Sequence, residues 1–557
     1  MSDKVKIFAL GGLDEEGKNC FVIDVNGDLF VVECGVMDPD KTMPGVDYVI
    51  PNYQFLIDNK SRIKAYLLTH GHDDVMGALA YIYPDCPAPI YGTKVTLAML
   101  KMFTEHVKRD PTMYNTVVIE PTSTMQIAGR EISFFQTAHN IASSCGVAIK
   151  TSLGNVVFTS DFVIENAADK SYLNDLNAIA RLAETPTLAL MTESVYASRP
   201  GYTSPLYHLT PHIEDAFKNA KGRIFIAQYS NDLYNMTEVI RLAVAFRKKI
   251  VCYDEGVVAT IRALQACGEL VIPRDNFASL DDILRLRDQD MVILMTGFGT
   301  RCFRKAALLA TGENEDKRIK IKTTDTFILA AVPHDNSEIE YVDAADELFR
   351  TGCKVVMTEK KKFLRMHASE EDLKMMASLL KPKYYIPVKG FYKDLLSNAM
   401  LALSMGIGLT HTNVFVLENG TSVILDEKGG RIFDEGIPHG DLLIDGEGVG
   451  DVSQEVLDDR TKLAEGVVII SGTFSKRKAA LICDPVVEMR GFLYGREADL
   501  VSKEIAKTFE NTFEEFTQNG LYNMDEIKQN CYERVCRSIR KMTGKNPMVL
   551  PLVLETA

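Results

Sequence analysis

Nothing in this 557-residue chain supplies a four-cysteine zinc site: its eleven cysteines stand singly, with no Cys-x-x-Cys pair. An odd number without short spacings fits reduced thiols in a cytoplasmic protein better than a disulfide framework. Any metal must then be held by His, Asp and Glu. Basic excess is also missing. With 62 Lys and Arg against 76 Asp and Glu, the formal net charge is −14, which argues against a surface that coats nucleic acid broadly and leaves room only for a local basic channel. No apolar run approaches the roughly 20 residues that span a bilayer. The N-terminal "MSDKVKIFAL" enters strand-like sequence directly, so neither a membrane segment nor a signal peptide is expected. Repeats and low-complexity tracts are absent. What remains is ordinary globular composition, 46% hydrophobic and 25% charged, in a chain too long for one core.

The first 160 residues are mostly short β-branched strands and tight turns. "KIFALGG", "NCFVIDVNGDLFVVECG" and "IKAYLLTH" predict strands, with "NGD" as a hairpin turn. "DVMGALAYIY" and "VTLAMLKMFTEHV" predict helices, and "STMQIAGREISFFQTAH" and "CGVAIKTSLGNVVFTSDF" predict strand pairs. This texture suggests a layered α/β sandwich with a site at its rim. Over about 206–366 strands alternate with helices, the mark of a parallel, doubly wound sheet. "KPKYYIPVKG" and "VFVLENGTSVILDEKG" then return to the first texture, so the second domain reads as an insertion. A Gly- and Asp-rich stretch resembles a linker, and the last hundred residues predict a small α+β domain with two long amphipathic helices. The boundaries drawn are 1–206 and 367–447 for the first domain, 207–366 for the insertion, 448–461 for the linker and 462–557 for the terminal domain.

The chemistry begins at "LLTHGHDDVMG". His70 and His72 lie between a strand and a helix, where a spacing of two can aim both imidazoles at one ion, and Asp74 can reach a neighbouring one. Polar capping of the following helix is the plainer alternative. His139 and Asp161 each end an apolar strand. His70, His72 and His139 make a three-imidazole site with a fourth position open, which zinc uses catalytically. Asp161 would bridge to a second ion.

"FALGGLDEEGKN", "GVDYVIPNY", "LTHGHDD", "PIYGTK", "TAHNIASSCGV", "TSDF", "KPKYYIPVKG" and "NPMVLPLVLE" together resemble, in order and over essentially the whole chain, the ribonuclease J family. The resemblance implies a metallo-β-lactamase αββα sandwich, an inserted β-CASP domain and a C-terminal α+β domain. It implies a cytoplasmic 5′-to-3′ exoribonuclease with some endonuclease activity, a preference for 5′-monophosphorylated RNA, two zinc ions, and a role in mRNA decay and rRNA processing. It carries His70, His72, Asp74, His139 and Asp161 over as ligands, His367 and Asp74 as catalytic groups, and Glu193 as an acidic support. Two ligand positions depart from it. Val75 and Lys389 stand where the family has second-ion histidines, so one zinc site is expected whole and the other degraded, with manganese or magnesium suited to what remains.

The RNA-facing segment "FLRMHAS" keeps His367, while Arg365 and Met366 replace a small Ser-Gly pair beside Phe363 and Leu364. Ser230 and Asn231 match a segment lining the RNA channel. These losses resemble the second, degenerate paralogue of bacteria that carry two. They imply weak activity, partnership with the active paralogue as homodimer or heterotetramer, and a place for it in an RNA degradosome, with no membrane role. A competent single-metal or Mn²⁺-dependent nuclease and a non-catalytic RNA-binding scaffold are the other readings.

Overall fold

A computed structural model describes all residues except 1, 41, 335–336, 361, 447, 450–453, 519–522 and 557. It divides into two compact units, 1–38 with 48–442, and 39–47 with 443–557.

The first unit is built on two facing sheets. One runs, in spatial order, through Gly429–Phe433, Ser422–Asp426, Val5–Gly11, Cys20–Val25, Asp28–Val32, Ile63–Leu67, Ile90–Gly92 and Thr116–Val118. The other runs through Tyr384–Pro387, Thr187–Thr192, Gly154–Phe158, Cys145–Thr151, Arg130–Gln136 and Thr124–Ile127. The "NGD" turn forms as read: Asn26 at φ 55° and Gly27 at φ 98° are both left-handed, the geometry of a tight hairpin that matches strand twist. Ile7, Phe21, Phe30 and Leu67 of the first sheet meet Phe134, Val147, Val156, Phe158 and Ile386 of the second in one core. Helices Leu176–Leu182, Glu370–Leu380 and Tyr392–Ser404 bury their apolar sides on the outer face of the second sheet, and Lys94–His106 lies outside the first. This is the αββα sandwich.

Strands from after the insertion complete both sheets. Tyr384–Pro387 pairs parallel to Thr187–Thr192, and Ser422–Asp426 pairs antiparallel to Val5–Gly11. "VFVLEN" is not a strand beyond a single bridge at Val414. The Asn419 side chain replaces ladder bonding there, accepting from Leu13 N at 3.3 Å and donating to Leu13 O at 3.0 Å. Between these returns, Phe277–Ala278, Lys249–Cys252, Met291–Gly297, Ile224–Tyr229, Thr326–Leu329 and Lys354–Met357 form an all-parallel sheet in that order.

In the second unit Val467–Ser475 pairs antiparallel with Val486–Arg490 and parallel with Met548–Thr556. Its alternate residues Val468, Ile470 and Phe474 face Ile505, Phe509, Phe513, Ile527, Val535 and Ile539 of helices Arg496–Thr517 and Met524–Thr543. Of the linker expected at 448–461, residues 450–453 lie outside the described residues, and 454–461 lie within helix Gln454–Ala464. No described helix is long and apolar enough to cross a membrane.

Candidate metal centre

Five strands of the sandwich deliver the polar groups, each just past a strand end. Ile63–Leu67 leads to His70 and His72, and His72 begins the short helix Asp73–Met76. Arg130–Gln136 leads to His139, Gly154–Phe158 to Asp161, Thr187–Thr192 to Glu193 and Tyr384–Pro387 to Lys389.

The three imidazoles stand mutually edge-on, with ring centroids 4.6, 4.7 and 4.9 Å apart. His70 Nε2 lies 3.1 Å from His72 Nδ1 and 3.4 Å from Asp161 Oδ2, and His139 Nε2 lies 3.4 Å from His72 Nδ1. Nitrogens bound tetrahedrally at 2.0–2.1 Å to one zinc would be about 3.3 Å apart, so this donor set fits one ion. Burial, reinforced by the neighbouring rings, pushes His70 and His139 well below the usual histidine pKa and keeps them in the neutral form that ligates.

The outer nitrogens fix the rings. His139 Nδ1 meets Met366 O at 2.8 Å and His72 Nε2 meets Asn231 O at 3.2 Å. His70 Nδ1 lies 3.0 Å from Thr69 Oγ1 and 3.2 Å from Ser160 Oγ. The main chain of "FLRMHAS" and of the inserted domain therefore orients two of the three candidate ligands.

His367 Nδ1 is 2.7 Å from Glu193 Oε2, and the other Glu193 oxygen accepts from Phe162 N and Ala368 N at 2.7 and 3.0 Å. Burial opposes a His367 cation, but the Glu193 carboxylate outweighs it and raises the imidazole pKa. Arg365 is held by His334 Nδ1 at 2.8 Å and faces Glu16 at 3.6 Å. Phe363, Leu364 and Met366, expected to face RNA, are only 1%, 3% and 4% exposed, with their side chains turned inward. Ser230 is buried too, and Asn231 enters through its carbonyl.

Asp74 stands apart from the cluster. Its Oδ2 accepts from Asn19 Nδ2 at 2.9 Å, its Oδ1 is 4.0 Å from His72 Nδ1, and it belongs to neither group of converging metal-capable residues among those described. Val75 is completely buried. Lys389 points into the centre, with Nζ 3.0 Å from both Asp161 oxygens and 3.0 Å from Glu33 Oε2. Glu33, with Thr69 and Ser160, belongs to this cluster and was not singled out from the sequence. A single carboxylate closing the apolar "DLFVVE" run was the same kind of signal that picked out Asp161.

Family models match residues 13–198 as the metallo-β-lactamase superfamily, 221–344 as the ribonuclease J β-CASP domain and 455–556 as the ribonuclease J C-terminal domain. Ribonuclease J2 of Bacillus subtilis is 32% identical over 557 residues, covering 100% of this chain and 99% of that one. Ribonuclease J 2 of Staphylococcus epidermidis is 31% identical over 554 residues, 99% of this chain and 98% of its own. A crystal structure of a protein of unknown function from Enterococcus faecalis shares the fold at a TM-score of 0.53 and 14% identity, over 76% of this chain and 100% of its own.

Proposed function

The chain belongs to the ribonuclease J family, a metallo-β-lactamase and β-CASP nuclease that hydrolyses phosphodiester bonds in RNA. From that membership we propose that it is a cytoplasmic 5′-to-3′ exoribonuclease subunit preferring 5′-monophosphorylated ends, weak alone and acting mainly as partner of an active paralogue. The observation that supports this is one converging three-imidazole set with the Lys389 ammonium against Asp161, and a buried Val75 where the family resemblance expects a histidine.

His70, His72 and His139 would hold a zinc ion. Bound there with an open position, it supplies a water of lowered pKa. The residues do the rest. Thr69 and Ser160 hold His70 with its Nε2 lone pair free for the ion, while Asn231 O leaves Nδ1 of His72 free and Met366 O leaves Nε2 of His139 free. Glu193 orients His367 and favours its protonated form, so that it can give a proton to the leaving oxygen of the sugar. Asp74 accepts from Asn19 Nδ2 and turns its other oxygen toward His72, 4.0 Å away. With Lys389 and Val75 in place of second-ion ligands, these residues would offer less charge stabilisation to the displacement, and turnover would be slow.

The test is cleavage of 5′-monophosphorylated RNA by the purified chain with Zn²⁺, Mn²⁺ or EDTA, with and without the paralogue. Slow, chelator-sensitive cleavage that rises in the mixture beyond the sum of the parts is expected. A rate alone that matches the active paralogue's would contradict the proposal. The intact His367–Glu193 pair favours a second reading, a competent one-ion nuclease, and that same outcome would support it.

A further inference from the structure

Three residues other than glycine meet at the back of the metal centre with left-handed backbones: Glu33 at φ 62°, Ser160 at φ 61° and Lys389 at φ 58°. Such backbones carry strain and persist only where the surroundings hold them. Here Lys389 N donates to Gly12 O at 3.1 Å, and Gly390 exchanges two 3.2 Å bonds with Glu15. The result aims a side chain only 4% exposed at two buried carboxylates.

The contacts form a continuous path. Both Asp161 oxygens lie 3.0 Å from Lys389 Nζ, and Glu33 Oε2 lies at the same distance as an ion pair rather than a well-aligned hydrogen bond. Glu33 Oε1 accepts from Thr69 Oγ1 at 2.7 Å and Ser160 Oγ at 3.1 Å. Those two hydroxyls in turn flank His70 Nδ1. A His70 Nδ1–H donated to this hydroxyl pair leaves Nε2 free to bind an ion. Without a cation between them, the Glu33 and Asp161 carboxylates would repel in a dry interior, where burial already pushes Glu33 up to about 7.

We propose that the Lys389 ammonium is a built-in substitute for a second divalent ion. It offsets one of the two negative charges of Glu33 and Asp161 and, through Glu33, Thr69 and Ser160, sets His70 for a one-ion site that assembles with no second metal. The proposal rests on the metal-centre reading above, but its test measures stability and metal response, not RNA cleavage, so the two can fail separately.

The experiment starts from chain loaded with one equivalent of zinc and follows thermal unfolding as Mn²⁺ is added. The parent is expected to show no shift with Mn²⁺. Lys389→Met should melt lower by about 5 °C or more and regain much of that loss with Mn²⁺, which now finds a vacated pair of carboxylates. Lys389→Met combined with Glu33→Gln should regain it without Mn²⁺, because one of the two opposed charges is gone. A Lys389→Met protein that melts like the parent, or a parent that responds to Mn²⁺ as the variant does, overturns the proposal. If Lys389→Met is insoluble, the double variant decides: a folded protein supports the substitution of ion by ammonium, and an equally insoluble one overturns it.

Discussion

At the scale of single residues, the proposed function divides the centre into groups that would hold an ion and a group that would move a proton. His70 and His72 converge with His139, and Asn231 O and Met366 O hold two of the three rings, whereas His367 is tied to Glu193 and belongs to the segment expected to meet RNA. His70→Ala with His72→Ala should therefore lose bound metal and metal-dependent cleavage together. His367→Ala should keep its metal by elemental analysis while cleavage falls about 100-fold, the usual scale for removing a positioned proton donor. Glu193→Gln should lie between, because the ring remains and only its charge partner is lost. Loss of metal in His367→Ala would mean that the segment carrying Met366 O, which positions His139, had collapsed, and would withdraw the proton-donor assignment.

At the scale of elements, the insertion is fastened to the sandwich by a half-buried polar knot. His208 Nε2 lies 3.2 Å from Glu165, which leads out of the sandwich core, and His208 Nδ1 lies 3.6 Å from Glu238 of helix Leu233–Ala245. Ser204, Tyr207 and Tyr234 complete the shell. Hydrogen bonds to Glu165 and Glu238 raise His208 to about 9. A raised cation stabilises the fold fully below its unfolded value near 6.5, and the contribution fades as pH climbs through 9. His208→Gln should cost about 2 kcal/mol at pH 6 and almost nothing at pH 10, read as melting temperature against pH. An equal cost at both ends would show that packing, not charge, holds the knot.

These elements also show what the sequence could and could not tell. The hairpin at "NGD", the parallel sheet of the insertion and the return of the sandwich after it were legible, because periodicity and turn chemistry are local. So were His70, His72, His139 and Asp161, each a polar residue ending an apolar strand. Glu33 obeys the same rule, but its partner Lys389 lies 356 positions away, beyond the reach of any local pattern. The inward turn of Phe363 and Leu364, and the loss of strand at "VFVLEN", depend on tertiary partners that local pattern does not encode.

At the scale of the whole molecule, the terminal unit offers a surface of its own. Strand Met548–Thr556 buries Val549 inward and exposes Leu550, Leu552 and Leu554 on the opposite face, with Val486 of a nearby strand also exposed. Exposed apolar rows of this kind mark association sites. Removing the chain after residue 461 should abolish co-elution with the active paralogue and leave the first unit cooperatively folded. Leu552→Arg with Leu554→Arg should weaken co-elution at least tenfold without changing the metal content. Retained association in the truncated chain would place the contact elsewhere. The first unit, by contrast, is proposed to hold one complete imidazole site, with an ammonium in the place of a second ion. The most direct test of this is metal content per chain by elemental analysis, after equilibration with excess zinc and exhaustive dialysis. The account predicts one zinc per chain, absent from the His70→Ala, His72→Ala variant. Two zinc ions per chain surviving dialysis would contradict it.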